Sequence, residues 1–163
     1  MYVCQINSLI FIMEKFETIN DIFDFAIENE QKAVVFYNDL AKNAKNESMR
    51  ESFERFAREE MGHKARLQKV KAEGYEGLKQ EKILDLKISD YLVKTEPYPD
   101  MPYEEALILA MNQEKASFKL YSTLAVIADN GEMRELFLSL SQEESKHKLS
   151  FEIEYDEFVL REN

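Results

Sequence analysis

Both histidines of this 163-residue chain fall in one repeated pattern, Glu60-x-x-His63 and Glu144-x-x-His147. Residues three apart share a face of a helix, so each pair can present a carboxylate and an imidazole to one metal ion. A lone Glu-x-x-His is weak evidence, because solvated helix faces produce it often. Here each copy has an upstream glutamate partner, Glu30 for the first and Glu114 for the second. Four carboxylates in one core repel one another and resist burial as charges. Two divalent cations cancel that charge, and the imidazoles bind as neutral ligands. The predicted metal ligands are therefore Glu30, Glu60, His63, Glu114, Glu144 and His147. A carboxylate-rich donor set suits iron or manganese better than zinc.

The apolar pattern places these residues on core faces. In one segment Met49, Phe53, Phe56, Glu60, His63, Leu67 and Val70 step alternately by four and three, an a/d seam interrupted at its middle by two polar residues. Met133, Phe137, Leu140, Glu144, His147 and Phe151 repeat it. Two further stripes each carry a single carboxylate near mid-length. These are Ile22, Ala26, Glu30, Ala33, Tyr37, Leu40, Ala44 and Leu107, Ala110, Glu114, Ser117, Tyr121, Leu124, Ala128.

Four long helices follow. The first is predicted from Thr18 to Ala44, capped by Thr18 or Asn20. The second runs from Glu47 to Glu73 and stops at Gly74. The third starts near Pro102 with Asp100 as its cap and ends before Gly131. The fourth runs from Glu132 to Leu160. Tight connections at Lys45-Asn46 and Asn130-Gly131 make each pair an antiparallel hairpin. Residues 75–100 join the hairpins. A helix of about 27 residues is about 40 Å long at ~1.5 Å per residue. Extended chain covers up to ~3.3 Å per residue, so this segment can cross that length and still hold a short helix around Leu84 to Leu92. The fold expected is all-α, a ferritin-like four-helix bundle of two antiparallel hairpins joined by one long crossover, in one domain over residues 13–163.

An internal repeat supports the two hairpins. A shift of 84 positions aligns Glu30 with Glu114, Tyr37 with Tyr121 and Leu40-Ala41 with Leu124-Ala125. It also aligns Met49-Arg50-Glu51 with Met133-Arg134-Glu135 and Phe53 with Phe137. Glu59-Glu60 meets Glu143-Glu144, and His63-Lys64 meets His147-Lys148. Ala44/Ala128 and Asn46/Asn130 complete the set, against about two or three identities by chance. A duplicated hairpin predicts pseudo-two-fold symmetry.

Composition excludes other classes. A net charge of −11 argues against nucleic acid as a partner. With Cys4 the single cysteine, the chain forms no internal disulfide and no cysteine-ligated zinc or iron–sulfur site, which points to a reducing compartment, the cytoplasm. The apolar run Ile6–Met13 is too short to span a membrane and has no basic leader, so no membrane partner is expected. Residues 1–12 read either as a dispensable extension ahead of a second start at Met13 or as an extra strand or turn.

Around the six ligands, Glu59 and Glu143 can accept the free ring N–H of a ligand histidine, or they are solvated. Tyr37 and Tyr121 lie two turns from Glu30 and Glu114, placed to hydrogen-bond their carboxylates or to serve as core aromatics. Met61 is either a packing residue or a haem ligand across a dimer interface.

At these residues the sequence resembles the rubrerythrin family of the ferritin-like superfamily. The matching stretches are AIENEQKAVVFYNDLAKNA with REEMGHKARL, then AMNQEKASFKLYSTLA with QEESKHKLSF. The resemblance implies a site of two iron ions that reduces hydrogen peroxide with electrons from a rubredoxin-type centre. Bacterioferritins share the six-ligand pattern, with their haem-binding methionine at the position of Met61. Two departures stand out. There is no C-terminal Cys-x-x-Cys module, so an external donor protein such as a rubredoxin must supply electrons. Ser117 stands where rubrerythrins carry an extra glutamate, so their redox-linked ligand exchange does not carry over. The expected function is reduction of hydrogen peroxide or oxygen at a di-iron centre in a homodimer. The alternative is a non-catalytic iron-binding or storage protein assembled as a 24-subunit shell.

Overall fold

The structure is a computed structural model that describes residues 15–74, 77–84 and 86–162. The segment 1–12 lies outside the described residues. Four long helices dominate: α1 (Ile19–Lys42), α2 (Glu47–Glu73), α4 (Tyr103–Ile127) and α5 (Gly131–Glu162). The crossover between α2 and α4 holds one helical turn, α3 (Gln80–Ile83), and a 3₁₀ turn, Ile88–Asp90. Among the described residues the chain is thus all-α apart from an isolated antiparallel bridge between Lys15 and Lys87.

Local chemistry sets the helix ends. Thr18 begins α1 with a reciprocal capping box: its hydroxyl accepts from Asp21 N at 3.1 Å, and the Asp21 carboxylate accepts from Thr18 N at 2.7 Å. Asn46 caps α2 by accepting from Met49 N at 2.9 Å, and Asn130 accepts from Met133 N at 2.8 Å at the start of α5. The duplicated asparagines therefore do the same work in both hairpins. Gly74 follows α2 with φ of 114°. Asp100, expected as the α4 cap, instead sits at φ of 60°, and Pro102 holds the cap position without a side-chain bond. Proline satisfies that place because it has no N–H to leave unpaired. The single short helix expected over Leu84 to Leu92 is replaced by the two separate turns.

The core has two halves. One gathers Ile22 and Phe23 from α1, Leu67 from α2, Leu120 and Leu124 from α4, and Phe137 and Leu140 from α5. The other gathers Tyr37 and Leu40, Phe53 and Phe56, Leu107 and Ala110, and Phe151. The start of α1, the end of α2, the end of α4 and the start of α5 thus share one end of the bundle. Each hairpin is antiparallel, and α2 ends at the opposite end from where α4 begins. The crossover therefore traverses the bundle. Ile83, Ile88 and Tyr91 anchor it in the first half, and Val93 and Met101 pack on the second. Gly77 fixes its departure. Its φ is 89°, its carbonyl accepts from Asp129 N at 2.7 Å, and a Cβ there would sit 2.5 Å from the Asn130 side chain.

Candidate metal centre

Between the two halves of the core the apolar stripes are interrupted on all four long helices at once. Glu30, Glu60, His63, Glu114, Glu144 and His147 are all buried there, none more than 3 % exposed. The structure brings all six sequence-predicted ligands together. They form two overlapping groups, Glu30, Glu60, His63, Glu144 and Glu60, Glu114, Glu144, His147, each with candidate ligand atoms within 4.8 Å of one another. The glutamates of the two Glu-x-x-His motifs belong to both groups, whereas Glu30 and Glu114 each belong to one. Their placement suits capping, and Glu60 and Glu144 are placed to bridge.

Both imidazoles turn Nδ1 inward. His63 Nδ1 lies 3.0 Å from Glu60 Oε2, 3.0 Å from Glu144 Oε1 and 3.6 Å from Glu30 Oε2. His147 Nδ1 lies 2.7 Å from Glu60 Oε1, 3.7 Å from Glu114 Oε2 and 3.8 Å from Glu144 Oε2. The rings are stacked, with centroids 5.9 Å apart.

The outer contacts cross from one hairpin to the other. Tyr37 donates its hydroxyl to Glu114, and Tyr121 donates to Glu30. The outward Nε2–H of His63 donates to Glu143 at 2.9 Å, and that of His147 donates to Glu59 at 2.5 Å. Each accepting carboxylate keeps the hydrogen on Nε2, the tautomer in which a neutral imidazole offers Nδ1 to a metal. Tyr37, Tyr121, Glu59 and Glu143 thus each hydrogen-bond one of the six clustered residues. Sequence reasoning missed Arg66 and Ser139, which also bind Glu143: Arg66 Nη2 at 2.9 Å, Arg66 Nη1 at 3.2 Å and Ser139 Oγ at 2.9 Å. Met61, by contrast, is 54 % exposed on the outside of the bundle, away from the core.

Electrostatics show what the cluster lacks. Burial pushes the Glu30 carboxyl up to about 8. Burial, together with the charges of Glu60 and Glu30, raises Glu144 well above the carboxylate range. Burial works against charge on His147, yet the facing carboxylates of Glu114 and Glu60 raise it to about 11, and His63 is raised by Glu144, Glu30 and Glu60. Burial likewise opposes ionisation of Glu60, but His147 and His63 hold it low. Protons thus partly neutralise the metal-free cluster. Even so, Glu60 Oε1 and Oε2, His63 Nδ1, Glu114 Oε2, Glu144 Oε1 and His147 Nδ1 are buried without an aligned hydrogen bond. Orphaned buried polar atoms are rare, and here they come from both of the overlapping groups. Four carboxylates and two imidazoles, holding protons that cations would displace, fit a pair of divalent cations.

A cavity reaches the cluster between α1 and α4. Glu30, Glu60, Glu114 and Glu144 form its floor, Gln113 and Ser117 line it on α4, and Tyr91 and Val93 of the crossover roof it.

Fold and cluster together define a ferritin-like di-metal carboxylate bundle. The rubrerythrin family model matches residues 21–155, and the chain belongs to that family. Its fold is similar to the crystal structure of a protein from Thermotoga maritima assigned as a ferritin-like diiron-carboxylate protein. The TM-score is 0.73 at 20 % identity, covering 89 % of this chain and 99 % of that one. No curated protein matches the chain. Among the described residues no helix is long and apolar enough to cross a membrane.

Proposed function

We propose that the chain holds two iron ions and reduces hydrogen peroxide or oxygen with electrons from an external donor. The observation that carries this reading is the gathering of six orphaned buried polar atoms in two overlapping carboxylate–histidine groups in the core. Glu60 and Glu144 would bridge the two positions. Glu30 with His63 would complete one, and Glu114 with His147 the other. The chemistry such a filled site would supply is two-electron reduction of an oxidant, one electron from each ion.

The rest of the work belongs to the protein. Tyr121 and Tyr37 hold Glu30 and Glu114 in place by hydrogen bonds, so the capping carboxylates are positioned before any metal arrives. Phe53, Phe56, Phe137 and Leu140, none more than 5 % exposed, keep bulk water from the cluster and limit side reactions. The cavity beside Gln113 and Ser117 gives a small oxidant a route to the carboxylate floor. The sequence has a single cysteine, so electrons come from outside this domain, from a protein such as a rubredoxin. The same composition suits a reducing compartment, the cytoplasm, and the redox reading expects a homodimer.

A non-catalytic iron-binding or storage role is the second reading. Ser117 favours it, because the cavity has no extra α4 carboxylate there. Exposed Met61 favours it too, as a position open to a partner copy. Stopped-flow oxidation of pre-reduced, iron-loaded protein decides between them. A burst with peroxide or oxygen that is stoichiometric with bound iron, and that turns over only when a donor is added, supports the redox reading. Oxidation no faster than that of free ferrous ion in the same buffer rejects it in favour of iron binding.

A further inference from the structure

The duplicated hairpins give the two metal positions the same inner ligands but different outer ones. On one side His63 donates to Glu143, and Glu143 is shared: its Oε2 also accepts from Arg66 Nη2 at 2.9 Å, and its Oε1 accepts from Arg66 Nη1 at 3.2 Å and Ser139 Oγ at 2.9 Å. On the other side His147 donates to Glu59 at 2.5 Å, and among the described residues Glu59 has no lysine or arginine within ion-pair distance. The 84-residue repeat puts Ser150 in the place of Arg66 and Arg55 in the place of Ser139. Ser150 turns its hydroxyl to the Lys146 carbonyl, and Arg55 lies over the Phe56 ring. The symmetry is broken outside the ligands, at a guanidinium.

We propose that Arg66 is a positioning residue that makes the two metal positions unequal, leaving the Glu30–His63 position the weaker and more electron-poor of the pair. The inference rests on the two-metal reading of the cluster. A carboxylate that already accepts two guanidinium N–H groups and a hydroxyl has less charge to offer an imidazole N–H. His63 is then a poorer donor to its metal than His147, whose acceptor is nearer and carries an unshared charge. The positive charge of Arg66, one carboxylate away from His63, also disfavours a cation there. Both effects have the same sign. Metal should enter the Glu114–His147 position first.

Arg66 also steadies Glu143, and that role alone would act in the opposite direction, so the sign of its effect separates the two. Single-histidine variants isolate the positions. His63→Ala leaves Glu114–His147 intact, and His147→Ala leaves Glu30–His63. Anaerobic titration with cobalt(II) alone, followed by its visible absorption, gives the affinity of each, with circular dichroism to confirm that each variant is folded. His63→Ala is expected to bind about tenfold more tightly than His147→Ala, within the range by which such outer partners tune metal affinity. Adding Arg66→Met to His147→Ala should tighten binding, and Arg66→Lys, which keeps the charge, should leave it near the parent value. Equal affinities in the two single-histidine variants, or weaker binding after Arg66→Met, would overturn the inference while leaving the two-metal reading intact. Folded variants that bind no cobalt at all would overturn both.

Discussion

Removing one hydroxyl, by Tyr121→Phe, tests the crossed hydrogen bonds that tie the two hairpins together. Tyr121 is 1 % exposed and its O–H donates to Glu30, which is 2 % exposed, so both partners of the bond are buried. A hydrogen bond to a charged group contributes about 1.5–3 kcal/mol, and the abandoned acceptor adds its own desolvation cost. The ring keeps its stacked contact with Phe137, 6.3 Å between centroids, so packing is little changed. The expected loss is about 2–3 kcal/mol in the metal-loaded protein. For a chain of this size each kcal/mol lowers Tm by roughly 2–4 °C, so the midpoint should fall by about 4–12 °C. Tyr37→Phe, at the symmetry-related place, should cost a similar amount. Tyr98→Phe is the control: its hydroxyl also donates to a carboxylate, Glu105 at 2.6 Å, but the residue is 49 % exposed. That change should stay within about 0.5 kcal/mol. Calorimetry or thermal circular dichroism of the three variants reads the differences. If Tyr121→Phe melts with Tyr98→Phe, the hydrogen bonds across the hairpins do not hold the cluster as described.

Metal removal and pH give further outcomes. Chelated protein should melt below metal-loaded protein, because binding to the folded state alone stabilises it; coincident melting curves with metal removal confirmed would argue against a buried charge-balanced site. Glu30 is raised from 4.5 to about 8 and His147 from 6.5 to about 11, so each stabilises the fold while protonated and loses that contribution as pH rises through its folded value. Metal-free protein should therefore lose stability from pH 5 to pH 9, and a flat or rising melting temperature over that window would contradict the assignment. Metal affinity should strengthen over the same window, because metal must displace those protons; titrations at pH 6 and pH 8 measure it. Gly77→Ala should destabilise by about 1–3 kcal/mol, from positive φ and the collision with Asn130, and an unchanged denaturation midpoint would show that the crossover can re-route.

Much of the architecture can be read directly from residue spacing, because a/d seams report which face of a helix is buried. The two Glu-x-x-His seams and the two single-glutamate stripes located all six clustered residues, and the 84-residue repeat indicated two hairpins. The crossover was legible in length but not in detail. Its turns at Gln80–Ile83 and Ile88–Asp90 are set by where Ile83, Ile88 and Tyr91 dock on the bundle, a tertiary effect with no periodic signal. Asp100 looked like a cap by residue type, yet its backbone takes φ of 60° and Pro102 stands at the helix start. Arg66 was missed because it lies outside the seam. The one trace of it is a break in the repeat, where Arg66 aligns with Ser150, and a repeat search rewards identities over differences. The roles of Glu60 and Glu144 in both halves of the cluster were likewise beyond spacing, since i, i+3 geometry pairs each with its own histidine and says nothing of the facing helix.

The most direct test of the account is anomalous diffraction at the iron edge from crystals of iron-loaded protein. Two peaks per chain are expected in the bundle core, one against Glu30 and His63, the other against Glu114 and His147, and both against Glu60 and Glu144. A single peak, or iron bound only at surface carboxylates, would contradict it.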